Sequence, residues 1–188
     1  MAACGSCASS GQEGTIELAL AGDPTDELSL TSKSPEGAPA LVPTDRVTLG
    51  GSGVSRTPTV RPVAGRGGTA VLTVNELSHG QVTGSVQVNV TVAGNGANTV
   101  TGGLGADIMF AQNGADTLAG EGGNDLLCGG NGPDTLSGGD GDDTLNSGRG
   151  PDRLAGGPGA DRFSGGQGKD TAVDFNPAED DTQDGTVP

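Results

Sequence analysis

The sequence predicts an all-β chain in two parts, an N-terminal β-sandwich over residues 13–92 and a repetitive β array over residues 93–173. Three observations predict it. Residues 13–92 alternate apolar and polar side chains in short runs separated by turn residues, the pattern of half-buried strands. From Ala93 onward the chain repeats itself every nine residues. Of its 188 residues 37 are Gly and 3 are aromatic, all Phe, which excludes the apolar core of a conventional enzyme-sized domain.

Nine Lys and Arg stand against 24 Asp and Glu, a formal net charge of −15. A chain this acidic repels phosphate backbones and anionic membranes, so the expected partner is a cation and not a nucleic acid. It has no run of 18 apolar residues, so no membrane insertion is expected. The charge falls unevenly, −3 over residues 1–92, −7 over 93–173 and −5 over 174–188, and these steps mark the expected boundaries. So few large apolar groups border on the disordered class, because burial cannot match the chain entropy lost on folding. Something other than burial has to order this chain.

Residues 1–12 read as a flexible tail without the basic and apolar regions of a standard signal peptide, so export would be unconventional or the chain a piece of a longer protein. Cys4 and Cys7 form CGSC among small residues, and Cys128 and the single histidine, His79, fall in other segments. No zinc or redox site is expected from them; free thiols are.

In the first part Ile16, Leu18 and Leu20 alternate with small or polar neighbours. So do Leu28 and Leu30, Val47 and Leu49, Leu72 and Val74, and Val86, Val88, Val90 and Val92. AGDPTDE, KSPEGAP, GGSG, AGRGG and ELSHGQ lie between them and supply turn residues. About seven strands in this span suggest a β-sandwich. GTIELAL, ALVPTDRVTLGGSG and TGSVQVNVTV resemble the immunoglobulin-like or cadherin-like modules of bacterial surface proteins, without the Cys and Trp hallmarks of antibody domains. Pro58 lacks a ladder donor, so RTPTV is expected at an edge or a bulge.

Written in nines from Ala93, the second part reads AGNGANTVT, GGLGADIMF, AQNGADTLA, GEGGNDLLC, GGNGPDTLS, GGDGDDTLN, SGRGPDRLA, GGPGADRFS and GGQGKDTAV. The fourth position is always Gly. The sixth is Asn98 and then Asp107, Asp116, Asp125, Asp134, Asp143, Asp152, Asp161 and Asp170. The eighth is always apolar, from Val100 and Met109 through Leu118, Leu127, Leu136, Leu145 and Leu154 to Phe163 and Ala172. Glycines at positions one, two and four permit a tight loop with inward carbonyls. The last three residues favour a short strand with its middle side chain inward and the flanking two outward.

These units resemble the RTX nonapeptide GGxGxDxUx, a calcium-binding parallel β-helix signature. The departures are Ala93, Ala111 and Ser147 at the first Gly, Gln112 and Glu121 at the second, and Asn98 at the acidic position. The resemblance implies a calcium-loaded parallel β-roll in which two nonapeptides complete an 18-residue coil and calcium lies between loops two repeats apart. The eight aspartates at position six are then its carboxylate ligands and loop carbonyls the remainder. Stacking gives four gaps on the edge starting at residue 93 and three on the edge starting at 102, so up to seven sites, the one at Asn98 weakened. Asp140 and Asp142 lie off this position and are expected to be solvated.

The chemistry agrees with the resemblance. Carboxylates about 5 Å apart repel by on the order of a kcal/mol even in water. Calcium removes the conflict because it accepts carboxylates and backbone carbonyls together; magnesium demands a stricter octahedron, and zinc prefers ligands that the repeats lack. Nine modest inward side chains cannot offset the ordering of this segment, so it is expected to be disordered without calcium and to fold when calcium binds.

The acidic segment 174–188 is expected to cap the array. DFNPAEDD resembles the sequence that follows RTX repeats, with Asp180 where Gly is usual and Phe175 over the open end. The function expected is a non-catalytic calcium-binding structural module of a secreted or cell-surface protein. The alternatives are a C-terminal accessory or secretion fragment of a secreted hydrolase, or a calcium-dependent adhesin with a cell-surface or protein ligand at residues 13–92. Against an enzyme, the one histidine excludes HExxH and GxSxG does not occur.

Overall fold

The computed structural model describes residues 67–78 and 81–187 and, before them, strands β1 (Gly14–Thr15), β2 (Leu18–Ala19), β3 (Glu27–Lys33), β4 (Val47–Gly50) and β5 (Ser55–Val60). Two longer strands follow, β6 (Gly68–Ser78) and β7 (Gln81–Val92). The strand β5 pairs antiparallel with β4 on one side and with β1 and β2 on the other. β1 meets Val60 and Thr59, and β2 meets Arg56 and Ser55. Part of the span expected as a sandwich, residues 13–92, lies outside the described residues.

The repeats fold into a parallel β-roll of about five coils. One sheet holds β8 (Thr99–Gly103), β10 (Thr117–Gly122), β12 (Thr135–Asp140), β14 (Arg153–Ala155) and β16 (Thr171–Ala172). The other holds β9 (Asp107–Asn113), β11 (Leu126–Asn131), β13 (Thr144–Arg149), β15 (Arg162–Ser164) and β17 (Thr182–Gln183). Register follows the eighteen-residue coil: Leu118 stands beside Leu136 and Leu136 beside Leu154, while Met109 stands beside Leu127 and Leu127 beside Leu145. These eighth-position side chains form the core between the sheets, from Val100 to Phe163, with Ala172 partly buried.

The outward-facing expectation holds in β12, where Thr135 and Ser137 are exposed around buried Leu136, and fails in β9 and β11 of the other sheet. There Ile108, Phe110, Leu126 and Cys128 are buried as well, so β9 and β11 are covered on both faces. The repeats starting at 102 and 120 carry apolar residues at positions seven and nine, where the other repeats carry mainly Thr, Arg, Ser or Asn. Cys128 is disulfide-bonded, which corrects the expectation of a free thiol; Cys4, Cys7 and His79 lie outside the described residues.

Both ends of the roll are closed. At the first coil β7 extends the ladder, pairing parallel with β9 so that Asn89 stands beside Asp107 and Val90 beside Ile108. β6 and β3 continue that sheet antiparallel. At the last coil Phe175 meets Phe163 edge to face, ring centroids 5.9 Å apart, and Val187 joins the core. A short 3-10 helix, Pro177–Glu179, is capped by Asn176, whose side chain accepts from the Ala178 N–H. No helix among the described residues is long and apolar enough to cross a membrane.

Candidate metal centre

Each sixth-position aspartate lies at the start of a repeat strand, and those from Asp107 to Asp161 are held there by the next coil. The backbone N–H of Asp107 donates to Oδ1 of Asp125 at 2.8 Å, that of Asp125 to Asp143 at 2.7 Å, and that of Asp143 to Asp161 at 2.9 Å. The other edge repeats the arrangement from Asn98 through Asp116, Asp134 and Asp152 to Asp170. All eight predicted aspartates are brought into two rows, each residue 4% exposed or less.

The second carboxylate oxygen is the unusual one. Oδ2 of Asp107, Asp116, Asp125, Asp134, Asp143, Asp152, Asp161 and Asp170 is buried and has no hydrogen-bond partner. Eight orphaned acceptors in a segment this short are far outside the ordinary tally of a folded protein and require a positive ligand or protons. Burial raises the carboxyls of Asp125 and Asp134 to about 7, that of Asp143 to about 8 and that of Asp161 to about 6. The donated N–H from the preceding coil opposes this rise, and the neighbouring aspartates add to it. Asp107 and Asp170 are raised too, again chiefly by burial.

Among the described residues no three His, Cys, Asp or Glu side chains converge on one point. A cation held here draws the rest of its ligands from the backbone, and the loops offer carbonyls. At Gly129, for example, the space a Cβ would fill lies 2.5 Å from Asp134 Oδ2 and 2.7 Å from the Ser147 carbonyl oxygen. An all-oxygen set of one carboxylate with carbonyls fits calcium and does not fit zinc.

A family model for the RTX calcium-binding nonapeptide repeat matches four times, over residues 92–127, 102–136, 120–154 and 137–172. Residues 92–172, a little under half of the chain, are thus similar to RTX calcium-binding repeats. No curated protein and no solved structure matches the chain. RTX repeats bind calcium in a structural role, and the buried, unpartnered carboxylate oxygens of this RTX array suit that ion.

Two members of the rows escaped sequence reasoning. Asn89 precedes Asp107 by one coil and its side chain hydrogen-bonds that carboxylate. Counting nines backward from Ala93 puts Asn89 at position six of residues 84–92, the signal that could have found it. Asp181 follows Asp161 and accepts its N–H through Oδ1 at 2.9 Å, twenty residues on instead of eighteen. Its Oδ2 accepts from the Asn176 N–H at 2.7 Å, so Asp181 ends the row with both oxygens satisfied. Asp140 is exposed as expected, whereas Asp142 is half-buried and accepts from the Ala160 N–H at 3.0 Å, a register contact instead of a solvated side chain.

Proposed function

We propose that residues 93–173 are a non-catalytic calcium-binding module of a secreted or cell-surface protein, which folds when it meets extracellular calcium. Its carboxylate ligands are Asp107, Asp116, Asp125, Asp134, Asp143, Asp152, Asp161 and Asp170, several ions binding per chain. The observation that carries this reading is the set of eight buried Oδ2 atoms without a partner. Bound calcium supplies the positive charge that two stacked rows of carboxylates need.

The chain's own residues divide the remaining work. Oδ1 of each of these aspartates after Asp107 fixes the register of successive coils by accepting an N–H from the coil before. The eighth-position side chains exclude water from between the sheets. Where calcium is scarce the rows repel and the core is too small to hold the coils, so the segment stays open. Extracellular modules bind calcium at about 10⁻⁴–10⁻³ M, which places folding outside the cell. Calorimetric titration of the chain with calcium tests the reading. Uptake of several ions supports it, and fewer than about three ions per chain contradicts the rows as ligand sets.

A further inference from the structure

The two edges of the roll carry the same aspartate ladder but different first residues. Repeats starting at 102, 120, 138 and 156 all open with Gly. Those starting at 93, 111, 129, 147 and 165 open with Ala, Ala, Gly, Ser and Gly. This position borders the orphaned oxygens. A Cβ on Gly102 would stand 2.6 Å from the Gly120 carbonyl oxygen and nearer still to Asp107 Oδ2. One on Gly138 would meet the Gly156 carbonyl oxygen at 2.6 Å and Asp143 Oδ2, and one on Gly120 would meet Asp125 Oδ2 and the Gly138 carbonyl oxygen. Gly129 frames Asp134 Oδ2 and the Ser147 carbonyl oxygen in the same way. These four glycines keep clear a space bounded by a carboxylate oxygen and by a carbonyl of the next coil.

Ala111 and Ser147 carry a side chain at that first position, where the four glycines have none. Each is 0% exposed, so neither escapes by turning to solvent. Ser147 goes further, because its Oγ donates to the Gly165 carbonyl oxygen at 3.0 Å. That carbonyl is the counterpart of those of Gly120, Gly138 and Ser147 in the open gaps, and here a hydroxyl takes it. Ala93 accompanies Asn98, which brings no carboxylate.

Taking the aspartate rows as calcium ligands, as proposed above, we infer that the gaps are unequal. Those opened by Gly102, Gly120, Gly129 and Gly138, with Asp107, Asp125, Asp134 and Asp143, hold calcium tightly. Those in which Ala111 and Ser147 stand beside Asp116 and Asp152 hold it weakly. Three of the tight sites lie on the edge that starts at residue 102, so that edge fills first.

Calorimetric titration of the full chain with calcium chloride at fixed ionic strength tests this. The unaltered chain is expected to take up about four ions in a tight phase, with further uptake at concentrations about tenfold higher or more. A111G/S147G is expected to move about two ions into the tight phase, and G120A/G138A to remove about two from it. An A111G/S147G chain that folds in calcium and keeps the unaltered stoichiometry and affinity overturns the inference, as does a G120A/G138A chain that titrates like the parent. If G120A/G138A does not fold, A111G/S147G decides alone. A parent chain that takes up no calcium defeats the calcium reading itself, and the two failures are thereby told apart.

Discussion

The backbone N–H of Asp125 donates to Oδ1 of Asp143 at 2.7 Å, while Oδ2 of the same Asp143 is buried without a partner. One carboxylate thus sets the register of two coils and offers an oxygen to a cation. Asp143→Asn keeps an acceptor at Oδ1 and removes the charge, so it is expected to lower calcium uptake by about one ion while leaving β structure intact at saturating calcium. Asp143→Ala also strands the Asp125 N–H and is expected to cost a further 1–3 kcal/mol, roughly. Calorimetry and urea unfolding in calcium separate the two effects.

Gln112, Glu121 and Asp180 occupy left-handed backbone, with φ of 81°, 78° and 66°, where the repeat and its tail usually place Gly. Replacing each by Gly relieves that conformation at the cost of a more flexible unfolded chain, a net gain of about 0.5–1 kcal/mol. Glu121→Gly is expected to gain more than Gln112→Gly, because Gln112 Nε2 donates to the Ala93 carbonyl oxygen at 2.8 Å and that bond is lost. Urea midpoints of the calcium-loaded variants give the order.

Proton binding supplies a test without metal. Folding raises the carboxyls of Asp125 and Asp134 from 3.8 to about 7, that of Asp143 to about 8 and that of Asp161 to about 6. Between those limits the folded chain binds more protons than the unfolded one, so stability is fullest below the unfolded value and falls as pH rises through the folded values. Acidifying the calcium-free chain from about pH 8 to about pH 4 is expected to increase its far-UV β signal. Calcium uptake is expected to weaken over the same range, since protons and calcium compete for the same oxygens.

Leu136 is 0% exposed between Leu118 and Leu154, whereas its neighbour Thr135 faces solvent. Leu136→Ala is expected to cost about 2–5 kcal/mol and Thr135→Ala about 0.5 kcal/mol or less. Equal urea midpoints for the two would contradict the inward assignment of position eight.

The repeat is legible in the sequence because each of its requirements is local. The fourth glycine, the sixth aspartate and the eighth apolar residue recur at fixed distance, and the structure puts Leu118, Leu136 and Leu154 in contact register from that count alone. What depends on a neighbouring element is not written in the period. Ile108, Phe110, Leu126 and Cys128 occupy outward positions and are buried, which nine-residue counting does not convey. Asp181 joins the row from a tail that breaks the count by two residues. Ser147 reads as a mild departure from Gly until its hydroxyl is seen to take the Gly165 carbonyl oxygen.

Calcium-driven ordering of the roll is tested most directly by far-UV circular dichroism of the chain at neutral pH, first in excess chelator and then with calcium added into the millimolar range. Two rows of buried, unpartnered aspartates predict little β signal from residues 93–173 in chelator and a cooperative gain on adding calcium. Full β structure already present in chelator, unchanged by calcium, would contradict it.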